Sequence, residues 1–189
     1  MTSQGREGQM TVRSFGHGTL AAEDFISLLD CAHIECVVDV RSFPGSRKNP
    51  QFGRQEMERW VVAAGIGYVW MPELGGRRRP VEGSRHTALR HVSFRAYGDY
   101  MESPTFLTGI DALLELAEKR STTVMCSESL WWRCHRRLIA DYLELVRHVH
   151  VEHLMHDGRL AVHHVTDGVR LQDGALIYDV GVTAPLSGD

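Results

Sequence analysis

The chain has 189 residues, 43% hydrophobic and 24% charged, with a formal net charge of −3. That length can bury a core of its own, and the balance excludes a disordered, collagen-like or coiled-coil chain. Residues 1–10 read as a flexible polar segment lacking the apolar core of a secretory signal, and no run of eighteen apolar residues occurs, so the expectation is a cytoplasmic protein with no membrane partner.

Residues 11–189 read as one α/β domain. Thr11 to Phe15 is a strand candidate ending at Gly16-His17-Gly18, followed by a helix from Ala21 to Ala32 with apolar Phe25, Ile26, Leu28 and Leu29 at helical spacing. Cys36 to Val40 is nearly continuous in apolar residues, the pattern of a strand covered on both faces, and Arg41 follows its carboxyl end. Ser42 to Gly53 is punctuated by proline and glycine and reads as irregular. Arg54 to Ala64 is a helix closed by Gly65, and Ile66 to Trp70 a strand. Met71 to Val92 carries Gly75-Gly76 and the triplet Arg77, Arg78 and Arg79 with few apolar residues, which suggests a mobile loop or lid.

Helices are expected over Phe94 to Met101 and Pro104 to Lys119, the second with Ser103 as N-cap and proline in its first turn. Thr122 to Cys126 is a buried strand, Trp131 to Val146 a helix, and Val151 to Met155 a strand that turns at Asp157-Gly158 into Leu160 to Val165. This order predicts a Rossmann-like α/β fold, a mostly parallel sheet covered by helices, with a C-terminal β-hairpin extension.

Ligands of such sheets gather beyond the carboxyl ends of the strands. The residues there are His17 after the first strand, Asp39 and Arg41 after the second, and Cys126, Ser127 and Glu128 after the fourth. Cys126 leaves its strand, while Arg133, Cys134, His135 and Arg136 are expected in the first turns of the next helix, where free N–H groups favour an anion or a thiolate. Between Arg41 and Arg95 the chain holds eleven Lys and Arg against four Glu, a region suited to an anion or simply a solvated basic face.

The four cysteines, Cys31, Cys36, Cys126 and Cys134, read as free thiols. Cys126, Glu128, Cys134 and His135 also invite a metal, with His17 and His153 within the chain's supply. Their spacing departs from paired C-x-x-C or H-E-x-x-H ligands, and Cys134 and His135 on one helix would point about 100° apart, so no metal site is assigned. His148, His150, His163 and His164 read as scattered surface or strand residues. G-x-G-x-x-G after the first strand, the Walker sequence and G-x-S-x-G are all absent, and no cofactor or oligomeric state is legible.

Gly16-His17, Asp39-Val40-Arg41-Ser42-Phe43-Pro44, Ser46-Arg47, Tyr68, Leu74-Gly75-Gly76, Cys126-x-Glu128 and Cys134-His135-Arg136 together resemble the bacterial family called domain of unknown function 488, over roughly Thr11 to Leu154. The resemblance implies a Rossmann-like fold with these polar positions facing one another, and no activity. A weaker likeness to rhodanese and tyrosine phosphatase sites stops at the cradle. A phosphatase loop needs arginine six positions after the cysteine, and Trp132 stands there.

Three accounts of the cluster remain. In the first, an enzyme acts on an anionic small molecule or nucleotide-like ligand: Arg41, Arg47 and Arg136 hold the anion, Cys126 is the thiolate, Glu128 moves a proton, and His17 or His135 is the base. In the second, a nucleic-acid-binding module uses the basic segment on phosphates and tryptophans on bases, although an isoelectric point near 6.4 favours a pocket. In the third, Asp39, Arg41, Glu128 and Arg136 form a buried ion-pair network that fixes the strand ends.

Overall fold

The computed structural model describes residues 10–45 and 48–181, so the expected flexible N-terminal segment lies almost entirely outside the described residues. Its main sheet has six strands: β1 (Thr11–Gly16), β2 (Cys36–Asp39), β3 (Gly67–Trp70), β4 (Thr122–Cys126), β5 (His150–Leu154) and β6 (Leu160–Val162). They lie in the order β3-β2-β4-β1-β5-β6, parallel except for β6, which folds back antiparallel on β5. The expected mostly parallel α/β architecture is therefore present.

Among the described residues, five α-helices cover the sheet: α1 (Ala22–Cys31), α2 (Arg54–Ala63), α3 (Val92–Tyr100), α4 (Pro104–Ala117) and α5 (Arg136–Leu145). Successive strand residues face opposite sides, so the chain builds two cores. On one face Phe25 and Leu29 of α1 and Met57 and Val61 of α2 pack with Phe15, Val37 and Met125. On the other, Tyr97, Ile110, Leu113, Leu138 and Ile139 pack with Val38, Val124 and Val151. Ser103 caps α4 as expected, its hydroxyl accepting from the Phe106 N–H at 3.2 Å.

Several expectations are corrected. Trp131 to Val146 is not one helix: Trp131–Arg133 form a 3-10 turn, Cys134 is extended (φ −123°, ψ 153°), and α5 starts only at Arg136. The apolar periodicity runs through this break, which is why it reads as continuous. The hairpin after Asp157-Gly158 is shorter than expected, and a second hairpin, β7 (Val169–Gln172) with β8 (Ala175–Tyr178), follows it. Asp173 and Gly174 at its tip both have positive φ, as a two-residue Asp-Gly hairpin turn requires. The segment after β3 is irregular, yet Leu74, His86 and Leu89 are buried and tie it to the body of the fold.

Candidate functional site at the carboxyl ends of three adjacent strands

Because β4 lies between β2 and β1, three strands end side by side. Gly16 pairs with Cys126 and Asp39 with Met125, and the pairing continues past the strands through the His17 N–H to the Cys126 carbonyl at 3.0 Å. Gly16 has room for nothing larger than hydrogen: a Cβ there would run into the Glu128 carbonyl and the Arg136 guanidinium. Gly76 is crowded in the same way by the His135 ring.

The first node is Asp39 with Arg41. Asp39 is fully buried and accepts from the Arg41 backbone N–H (3.0 Å), Arg41 Nε (2.8 Å), Arg41 Nη2 (2.5 Å) and the Tyr68 hydroxyl (2.6 Å). Arg41 Nη1 donates to the Phe52 carbonyl at 2.9 Å and to His17 Nε2 at 3.2 Å, while His17 Nδ1–H donates to the Gly18 carbonyl at 2.9 Å. This set of partners uses the guanidinium on every side and assigns His17 as a neutral ring that supports Arg41 from behind.

The second node is a dithiol. Cys126 and Cys134 place their sulfurs 2.8 Å apart, both almost wholly buried. The Arg136 guanidinium, 1% exposed, donates from Nε to Cys126 Sγ at 3.1 Å, from Nη1 to Ser14 Oγ at 3.0 Å and from Nη2 to the Glu128 carbonyl. The expected Glu128–Arg136 ion pair is therefore corrected: the Glu128 carboxylate is exposed and accepts from the Leu130 N–H instead. Among the described residues, no carboxylate pairs with Arg136, and its anionic partner can only be sulfur.

His135 Nδ1 lies 3.4 Å from Cys134 Sγ, because the extended Cys134 brings the two side chains together where a helix would have splayed them. Burial pushes the Cys126 thiol well above its usual range, and sharing a proton with Cys134 adds to that. Burial also opposes ionisation of Cys134, but the hydrogen bond from Cys126 and the charges of His135 and Arg136 outweigh it, holding Cys134 well below the usual range. The two sulfurs titrate as one unit, losing a first proton readily and keeping the second.

Both sulfurs form the floor of a cleft of about 1230 Å³. Its walls carry Arg77, Arg90, Arg133 and Arg137 as well as Glu128 and Trp132. The guanidinium groups of Arg90 and Arg133 have no protein partner among the described residues. Within the arginine triplet, Arg78 turns away to the carbonyls of Gly75, Pro72 and Glu73 and stacks over Tyr100, leaving Arg77 at the cleft beside Phe43. Arg90, an isolated arginine in a loop, carries no periodic or motif signal in the sequence, whereas Arg133 stands out there as the neighbour of Cys134-His135-Arg136. Arg47, expected to bind the anion, lies outside the described residues. Among the described residues, no group of three or more His, Cys, Asp or Glu is arranged to hold a metal ion, and no helix is long and apolar enough to cross a membrane.

The profile of the family described as Domain of unknown function DUF488 matches residues 21–143, well over half of the chain. The chain belongs to the DUF488 family. The match takes in Asp39, Arg41, Cys126, Glu128, Cys134, His135 and Arg136, and leaves out β1 with His17 and everything from β5 onward. Comparison with curated proteins gives no match, and neither does comparison with solved structures.

Outside the matched stretch, His153 and His163 of this DUF488 chain join Asp141 of α5 in a buried acid–histidine relay. His163, expected among scattered surface or strand residues, is 5% exposed: its Nε2–H donates to Asp141 at 2.9 Å, and its Nδ1 accepts from His153 Nε2–H at 3.0 Å. Asp141 also accepts from the Tyr178 hydroxyl (2.9 Å) and the Thr166 N–H (2.9 Å), which fastens β8 to α5. The correction has a plain cause: antiparallel pairing of β6 on β5 brings His163 over Asp141, and no local pattern shows that. The His153 ring stacks on Trp131 with centroids 4.0 Å apart and fixes that wall of the cleft.

Burial and the Arg41 charge push His17 down to about 4, and burial and the neighbouring His163 push His153 down to about 2. At pH above 6.5 both rings are neutral folded or unfolded and contribute nothing to a pH dependence. Below it the unfolded chain takes up protons that the folded chain refuses, so stability falls by about 1.4 kcal/mol per pH unit for each ring. For His17 the fall ends near pH 4, where the folded ring titrates. Denaturant unfolding at pH 7 and pH 5 is expected to show this loss, and His17→Gln should remove its own share. An unchanged pH dependence in His17→Gln would mean that the ring is charged in the fold.

Proposed function

We propose that this protein is a cysteine-dependent enzyme acting on an anionic small molecule of phosphate or nucleotide type. The observation that carries the reading is the Cys126–Cys134 dithiol beside the buried Arg136, whose only candidate counter-charge among the described residues is sulfur. A guanidinium and backbone N–H groups lower the cost of a thiolate, which is the nucleophilic form of cysteine. The Glu128 N–H, 3.4 Å from Cys126 Sγ, adds to that donor set.

In this reading His135, in contact with Cys134 Sγ, exchanges the proton of the dithiol, and the exposed Glu128 carboxylate at the rim moves a proton to or from the substrate. Arg77, Arg90 and Arg133 on the walls receive the anion, with Arg47 a further candidate. Arg41, saturated by Asp39, His17 and Phe52, holds the shape of the floor.

The test is the pH dependence of alkylation, followed at each cysteine by peptide mass. One sulfur of the pair is expected to alkylate with a midpoint well below the ordinary thiol value of about 8.5, and inorganic phosphate or a nucleotide should slow the reaction by occupying the cleft. Ordinary thiol behaviour at both Cys126 and Cys134 would end the nucleophilic reading.

A second reading, a nucleic-acid-binding module, draws on exposed Phe43 (74%) and Trp132 (43%) beside Arg77 and Arg133. Bases would stack on the rings while phosphates meet the guanidinium groups. That reading requires oligonucleotide affinity that falls steeply with salt.

A further inference from the structure

We propose that Cys126 and Cys134 act as an attacking and resolving pair in thiol–disulfide exchange with small anionic disulfides and thiols. This deepens the cysteine-enzyme reading above and rests on it. A single nucleophilic cysteine needs no second sulfur within 2.8 Å, and a structural thiol needs no buried guanidinium aimed at it. Here both are present at the floor of a cleft where Arg90 and Arg133, without a protein partner among the described residues, suit the carboxylates of a charged disulfide.

Cys134 is placed to attack, being in contact with His135 and at the end of the 3-10 turn that opens on the cleft. In the first step its thiolate bonds to one sulfur of the substrate, the substrate S–S bond breaks, and one thiolate leaves. In the second, Cys126 gives its proton to that departing thiolate, Cys126 Sγ bonds to Cys134 Sγ, and the other substrate sulfur leaves as a thiolate. The protein loses two electrons and the substrate gains two, leaving one thiol and one thiolate. The Arg136 Nε–H and the Glu128 N–H already point at Cys126 Sγ, so the charge that grows there during resolution meets waiting donors.

The same donors set the direction. They stabilise the reduced, partly ionised pair and have no anion to meet once the disulfide forms, so the oxidised protein is a willing electron acceptor. Small anionic thiols are the partners that would reduce it, by the two steps in reverse.

The experiment uses the full chain with Cys31→Ser, which removes the exposed thiol on α1. It is equilibrated with reduced and oxidised glutathione at graded ratios, quenched and mapped by peptide mass. A Cys126–Cys134 disulfide is expected at oxidising ratios. Cys126→Ser should instead hold one glutathione on Cys134, and Cys134→Ser should hold far less on Cys126. In Arg136→Met the disulfide should form at a ratio less oxidising by about tenfold or more, reflecting the lost charge-assisted bond. A wild-type pair that stays reduced or only glutathionylated at every ratio would overturn the exchange proposal. If low-pH alkylation of the pair persists in that case, the nucleophilic reading stands alone; if it is also absent, both readings fall.

Discussion

Replacing Arg136 with methionine is expected to weaken the fold by roughly 3 kcal/mol and to raise the pH at which the dithiol alkylates. Methionine fills much of the volume but supplies no donor, so Ser14 Oγ and the Glu128 carbonyl lose bonds inside the fold, and Cys126 Sγ loses its charged neighbour. Part of the usual penalty for breaking a buried pair is avoided, because the sulfur left behind can take a proton. The expected loss is therefore at the lower end for buried charges. In a chain of this length the change corresponds to a melting point lower by about 6–12 °C. Thermal unfolding and the alkylation profile are read on the same sample. An unchanged alkylation midpoint would show that Arg136 is not the counter-charge, whatever happens to stability.

Asp39→Asn is expected to cost more, about 3–5 kcal/mol, because Arg41 cannot shed its charge as a thiolate can. The carboxylate accepts four hydrogen bonds, three of them from Arg41 itself, in a pocket closed to solvent. An amide of the same shape loses the charge and turns an N–H pair toward donors. Tyr68→Phe removes one of the four bonds while the ion pair stays intact, so its cost should be near 1 kcal/mol. Denaturant unfolding separates the two variants. Adding Arg41→Met to Asp39→Asn should recover part of the loss, and strict additivity of the two substitutions would mean that the pair is not coupled in the fold.

The sequence makes individual elements plain where periodicity and punctuation agree. Thr122 to Cys126 is a run of strand-favouring and apolar residues between serines, and β4 has those limits; Ser103-Pro104 announces the start of α4. Lateral order is another matter, since nothing in the residues of β4 says that it separates β2 from β1. The cysteine, histidine and arginine cluster is visible as a set of residue types, but its geometry depends on the extended Cys134, which the apolar rhythm of Trp131, Leu138 and Ile139 conceals. The Asp141–His163–His153 relay draws from three elements and leaves no local trace. The β7–β8 hairpin, by contrast, carries a legible signal in Asp173-Gly174 between Leu171 and Leu176.

The place of β4 also bears on how the protein is made. Cys36 pairs with Thr122 and Arg13 with Thr123, so β1 and β2 share no neighbour until the second half of the chain has been synthesised. A nascent chain stopped before that point would present open strand edges, the usual starting points of aggregation, and pairings so distant in sequence close slowly. Arg136 is made later still, after both cysteines. During synthesis, then, Cys126 and Cys134 are ordinary thiols, and their distinctive chemistry begins only when the last pieces of the sheet and α5 are in place.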